Sequence, residues 1–276
     1  MRECIPRKSR FERFAFYTPI VFCAGMWLQA EAQPTARETA PIDLAGYWVS
    51  IVSENWRLRM VTPPPGDYLN IPLNDEGHRV ADTWDPDRDE REGLECKAYG
   101  APFVMRMPVR IHITWEDDNT LRIETDAGQQ TRLVHFGAAN PPNGETTWQG
   151  RSVASWQFAG PRGFGGFGFG AAAGVGRGRI RPEGGSLIVT TTHLRPGYLR
   201  WNGVPYSENA VLTEHFDRHD DVGEQWITHT RIVEDPTYLT EPWVVTSHFK
   251  REPDNSKWNP TSCEVHRFVR YPLNSD

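Results

Sequence analysis

The chain has 276 residues, with 30 Lys and Arg against 36 Asp and Glu and a formal charge of −6 at neutral pH. An acidic product without a basic run is a poor match for the phosphate backbone of nucleic acid or for an anionic membrane face. The reading therefore turns to small-molecule partners; the oligomeric state is not legible in the sequence.

The first residues read as a targeting segment. Arg2, Arg7, Lys8, Arg10 and Arg13 form a basic start, Phe14–Ala30 is uncharged, and Ala30–Glu31–Ala32 matches a small-x-small cleavage site. The uncharged stretch contains Pro19 and Gln29 and is short for a bilayer span, which needs about 20 apolar residues. We expect a signal peptide over 1–32, a mature domain over 33–276, and a periplasmic or secreted location. No later stretch is long and apolar enough to span. Cys4 and Cys23 leave with the leader; Cys96 and Cys263 remain. A single pair in an oxidising compartment predicts one disulfide.

Strands follow. "DLAGYWVSIVSE" opens the domain with Gly46-Tyr47-Trp48. "NDEGHRVADTWDP" predicts one short helix capped by Asn74 and ended by Pro86, with "DPDRDERE" beyond it a solvated loop. "VRIHITWEDDNTLRIETD" is a hairpin whose alternation places Ile111 and Ile113 against Ile123 and Leu121, and His112 against Glu124. "QQTRLVHFG", "TTWQGRSVASWQF", "SLIVTTTHLR", "NAVLTEHFDR", "EQWITHTRIVED" and "PWVVTSHFKRE" continue the pattern, and "CEVHRFVRY" is a candidate edge strand. About nine strands connected in order imply an all-β fold, an antiparallel up-and-down meander closing into a barrel. Residues 160–185, rich in Gly with interspersed Phe, are a flap over a sheet opening or a disordered insertion.

Gly46-Tyr47-Trp48, placed in the first strand of such a chain, resembles the Gly-x-Trp of lipocalins and other calycins. That resemblance implies a lipocalin-like barrel with Trp48 closing one end and a late Arg, Arg267 or Arg270, packing across it. The stretch over residues 211–243, with its Asp235-Pro236 and Pro242-Trp243 corner, resembles the C-terminal half of a group of uncharacterised exported bacterial proteins. This second likeness implies a periplasmic barrel and no particular activity.

Histidines mid-strand carry the chemical interest. His193, His215, His229 and His248 fall on four consecutive strands. Side chains alternate along a strand, so register decides which of them meet. With Thr213 opposite His229, His215 and His229 share a face; a slip of one residue sets Glu214 against His229. Imidazole titrates near neutral pH and a carboxylate orients it, so such a lining suits general acid–base work. His193, His215, His229 and His112 are the acid/base candidates, Glu214 and Glu124 the orienting carboxylates, and Arg195 a holder for an anionic group. A divalent metal at the histidine cluster is the sharper variant, although no short ligand spacing such as H-x-H occurs. The plain alternative is an outer sheet face of half-exposed Thr, His and Arg. Tyr198, Trp201 and Tyr206, in the loop "HLRPGYLRWNGVPY", together with Trp226 and His248, are candidate ligand contacts. The expected function is a cofactor-independent lyase, hydratase or isomerase acting on a small, partly apolar or aromatic molecule; the other reading is a periplasmic carrier of a hydrophobic ligand. If Leu212, Phe216, Trp226, Ile232, Val245 and Phe249 point inward, carriage is favoured. If the histidine-bearing faces do, chemistry is.

Overall fold

The computed structural model describes residues 33–137, 145–159 and 184–269. Residues 1–32, where a signal peptide is expected, most of the Gly-rich segment and Arg270 lie outside them.

Nine strands close into a barrel. They are β1 (Gly46–Ile51), β2 (Arg110–Asp117), β3 (Thr120–Thr125), β4 (Thr131–Phe136), β5 (Arg151–Phe158), β6 (Gly185–Thr192), β9 (Val211–Asp221), β10 (Glu224–Glu234) and β11 (Trp243–Glu252). Two residue pairs, β7 (Gly197–Tyr198) and β8 (Pro205–Tyr206), form a separate small ladder between β6 and β9. Round the barrel the order is β1-β11-β10-β9-β6-β5-β4-β3-β2, so β1 closes on β11. The predicted all-β barrel is present, with one departure from a pure meander: β4 and β5 run parallel. Alternation explains the core. Ile111, Ile113, Leu121, Ile123, Leu187, Val189, Phe216, Ile227 and Phe249 all point inward and are buried.

Helices number more than the one predicted. α1 (Ala36–Thr39) and α2 (Trp56–Met60) are single turns, and α3 (Asp75–Ala81) is the expected helix, its Asn74 side chain accepting from the Gly77 N–H. The acidic stretch expected as loop is α4 (Pro86–Arg91). Asp85 caps it through the N–H groups of Asp87 and Arg88, and Pro86 occupies the first turn, where its missing N–H costs nothing. Pro86 thus starts a second helix rather than merely ending the first.

Helices α2–α4 with residues 193–210 and 235–242 cap one end of the barrel around a second core that includes Tyr68, Leu73, Leu199, Tyr206 and Trp243. The Asp-Pro corner is built into this cap: the Asp235 carboxylate accepts from the N–H and hydroxyl of Ser207 and from the N–H of Thr237. At the opposite end Trp48 is wholly buried, donating its indole N–H to the Leu44 carbonyl. A guanidinium does pack across it, 5.3 Å from the ring centre, but it belongs to Arg251 of β11 and not to Arg267. Register sets this choice, because Arg251 is the Cα partner of Trp48. Gly46 holds φ near +133°, and a Cβ there would lie 2.8 Å from that guanidinium, so the glycine is required twice over.

The C-terminal segment is not an edge strand. With β1 paired to β11, the barrel leaves no edge for it. Residues 261–269 instead run over the cap. There Cys263 is bonded to Cys96, His266 stacks on Trp201 at 4.2 Å, and Arg267 pairs with Asp87 and Glu90. The disulfide spans 167 residues of sequence. Closing so long a loop removes much unfolded-chain entropy, so a Cys96→Ala/Cys263→Ala variant is expected to lose roughly 3–5 kcal/mol of stability in chemical denaturation. A midpoint unchanged from that of the parent protein contradicts this account.

Candidate functional site

Two positive-φ residues decide the site. Val222 (φ 47°) and Gly223 (φ 77°) make a two-residue turn, so β9 and β10 run on to Asp221 and Glu224 with no five-residue loop between them. The register that follows sets Phe216 opposite His229 and Glu214 opposite Arg231. Neither expected pairing occurs. Glu214 and His229 share the inner face as diagonal neighbours, while His215 lies across from Thr230 on the outside.

Inside the barrel Glu214, His229 and Arg231 are completely enclosed, and Arg132 is nearly so. His229 Nε2 lies 2.9 Å from Glu214 Oε1. Arg132, on β4, reaches across the lumen and donates from both terminal nitrogens to the two oxygens of Glu214. Phe216 lies against the imidazole with ring centres 4.4 Å apart. Arg231 donates to the Pro102 carbonyl at 3.0 Å, tying the barrel wall to the segment that leads into β2.

Electrostatics fix the protonation states. Burial pushes the Glu214 carboxyl up, but the Arg132 charge and the His229 hydrogen bond outweigh it and hold Glu214 well below the usual carboxylate range. Burial pushes the His229 imidazolium down, and the Glu214 interaction only partly offsets that. At neutral pH the pair is therefore carboxylate and neutral imidazole. An ionised carboxylate accepts only, so His229 must carry its proton on Nε2 and donate it to Glu214. That leaves Nδ1 with a free lone pair, and Nδ1 is buried with no hydrogen-bond partner among the described residues. Ser247 Oγ, Arg132 Nε and two donors of Arg231, Nε and Nη2, are buried and unpartnered in the same sense. Ser247 is the Cα partner of His229 and, like it, completely enclosed. Each such buried donor costs about 1–3 kcal/mol if nothing satisfies it.

The other candidates disperse. His193 is exposed in the turn after β6 with φ 56°, and Arg195, also exposed, lies over the Trp148 ring. His112 does meet Glu124, 3.2 Å from Nδ1 to Oε2, but on the outer wall, stacked on Tyr47 at 4.0 Å. His248 and Trp226 also face outward, half-buried. Convergence of several imidazoles thus fails, since strand parity turns β10's histidine inward and those of β2, β9 and β11 outward. The apolar alternative is equally mixed: Leu212, Phe216, Val245 and Phe249 face in, Trp226 and Ile232 out. Among the described residues no group of three or more His, Cys, Asp or Glu side chains is placed to hold a metal. Tyr198 and Tyr206 line a cap cavity of about 140 Å³ with Trp84 and Tyr238. Trp201 lies beside a smaller one with His266. Tyr198 donates to Asp89 at 2.6 Å and accepts from Lys97.

Sequence reasoning passed over Arg132, Arg231 and Ser247. Parity was the available signal, because Arg231 shares its face with His229 and Arg132 with Val134. Which wall Arg132 would reach depends on the closure of the barrel. No protein-family model, curated protein or solved structure matches the chain.

Protonation gives a test. The folded-state pKa of His229 lies below its unfolded value of about 6.5, so the unfolded chain takes up the proton first as pH falls. The stability from keeping it neutral is complete above that value and is lost on the way down. Glu214, held low, enters only below its own unfolded value of about 4.3. Between pH of about 7 and about 4.5 the protein is expected to lose roughly 2–3 kcal/mol that His229→Gln, which keeps a donor for Glu214, does not. Urea denaturation at both pH values measures it; identical losses mean the imidazole is not buried neutral.

Proposed function

We propose that this chain is an exported, lipocalin-like barrel enzyme that moves a proton on a small, partly apolar molecule, in an elimination, hydration or isomerisation. One observation carries the reading. Glu214, clamped by Arg132, fixes the tautomer of His229 and leaves Nδ1 as an unpartnered base in the barrel interior. In this reading the unpartnered donors of Arg231, two residues along the same face, receive negative charge developing on a substrate oxygen. The reading calls on no organic cofactor. Export is supported by the basic and uncharged leader pattern and by the disulfide. The lipocalin likeness draws support from Trp48 and its guanidinium partner at one barrel end.

His229 and Glu214 are enclosed, so turnover requires the barrel end to open, with the Arg231–Pro102 hydrogen bond among the contacts that break. A second reading, a carrier, is favoured by the apolar remainder of the lining, which includes Leu187, Val189, Ile227 and Phe249.

Proton transfer is measurable without knowing the substrate. Purified protein in D₂O with pools of small carbon acids (2-oxo acids, 3-hydroxy acids, enones and aromatic ketones) is expected to incorporate deuterium, or release product, in at least one pool by NMR. Glu214→Gln or His229→Gln should slow this by about 10²-fold or more. Silence in every pool, with an organic molecule retained in native mass spectrometry, supports the carrier and removes the enzyme.

A further inference from the structure

Buried positive charge collects at the seam between the cap and β11. A cavity of about 20 Å³ there is lined by Arg59 of α2, Arg106, Arg200, Phe103, Leu199 and Trp243 among others. All three arginines are at least 95 % shielded from solvent. Most of their identified contacts are to uncharged oxygens. Arg59 donates to the Arg106 carbonyl and to Ser50 Oγ, Arg106 to the Thr246 carbonyl, and Arg200 to the carbonyls of Asp67 and Leu69. Among the described residues Glu54 is the one carboxylate they pair with, shared between Arg59 and Arg106 and itself a third exposed. Asp67, the nearest acid to Arg200, is paired with Arg57 at 2.8 Å. Burial lowers the pKa of Arg59 and of Arg200 to about 10, so all remain cationic at neutral pH. Several cations with one shared carboxylate in a dry seam are costly unless an anion joins them.

The surroundings supply the rest of the ligand's description. Trp56, Met60 and Leu69 are large apolar side chains left at least half exposed. Each is next in the chain to a cavity-lining residue: Asn55, Arg59 and Asn70. The indole N–H of Trp243 is buried without an acceptor among the described residues. A cavity of this size holds a head group, not a body.

We propose that this seam binds a small amphiphilic monoanion, with a carboxylate head among Arg59, Arg106 and Arg200 and a short apolar tail over Trp56, Met60 and Leu69. The site lies at the barrel's rim, outside the chamber of Glu214 and His229. It stands independently of the proton-transfer reading.

Titration calorimetry of the purified protein with decanoate, acetate and decan-1-ol tests it. Decanoate is expected to bind at least about tenfold more tightly than either of the others, since each of them lacks one half of the recognition, and to weaken as NaCl rises from about 50 to about 500 mM. Arg106→Gln or Arg200→Gln should cost decanoate about tenfold or more. His229→Gln, which removes the base, should leave it within about twofold, so the two readings fail separately. Where an arginine variant does not fold, the comparison of decanoate with decanol on the parent protein decides alone. Decanol binding as tightly as decanoate, or no decanoate binding below the millimolar range, overturns the proposal. So does co-sedimentation with phosphatidylglycerol vesicles by protein that ignores free decanoate, which would assign the face to a membrane.

Discussion

The strut from Arg132 to Glu214 is the constraint on which the interior depends. It joins strands on separate walls of the barrel, β4 and β9, through two charge-assisted hydrogen bonds in a space closed to water. With Arg132 present, Glu214 stays ionised despite its burial, and an ionised Glu214 dictates which nitrogen of His229 bears the proton. Without it, a carboxylate in an apolar chamber would take up a proton or seek solvent. The same strut explains why a polar cluster persists amid Phe216, Ile227 and Phe249, where hydrocarbon would pack more cheaply. Retaining charge in such a place is a stability cost that calls for a use.

Much of the fold was legible in the residues. Alternation marked the strands, the lone cysteine pair gave the disulfide, and Asn74 announced α3. What escaped was everything set by closure or by turn length. Arg251 could be matched to Trp48 only once β11 was known to pair with β1. "CEVHRFVRY" has strand composition, yet a closed sheet has no place for a tenth member. Pro86 carries the same sequence signal whether it ends one helix or begins the next, and Asp85 as a cap was the clue.

The site was legible by face and not by register. One of the two registers considered, with Glu214 against His229, has the right parity, and parity alone brings acid and imidazole onto one wall. The actual pairing differs because Val222, a branched residue that resists positive φ, occupies a two-residue turn usually given to Asn or Gly. No composition rule predicts that. His112 and Glu124 show the converse. Their pairing was readable from the hairpin, yet the inward turn of Ile111 and Ile113 places the pair on the outer wall.

Pairing of the first and last barrel strands has a consequence in time. β1 leaves the ribosome first among the barrel strands, but one of its two neighbours, β11, is the last of them. Such distant contacts form slowly because loop entropy must be overcome before they reward the chain. The bond from Cys263 to Cys96 repeats the delay chemically. A nascent molecule therefore remains an open curved sheet until β11 has emerged, and its vulnerable period is a gap between two unsatisfied rims.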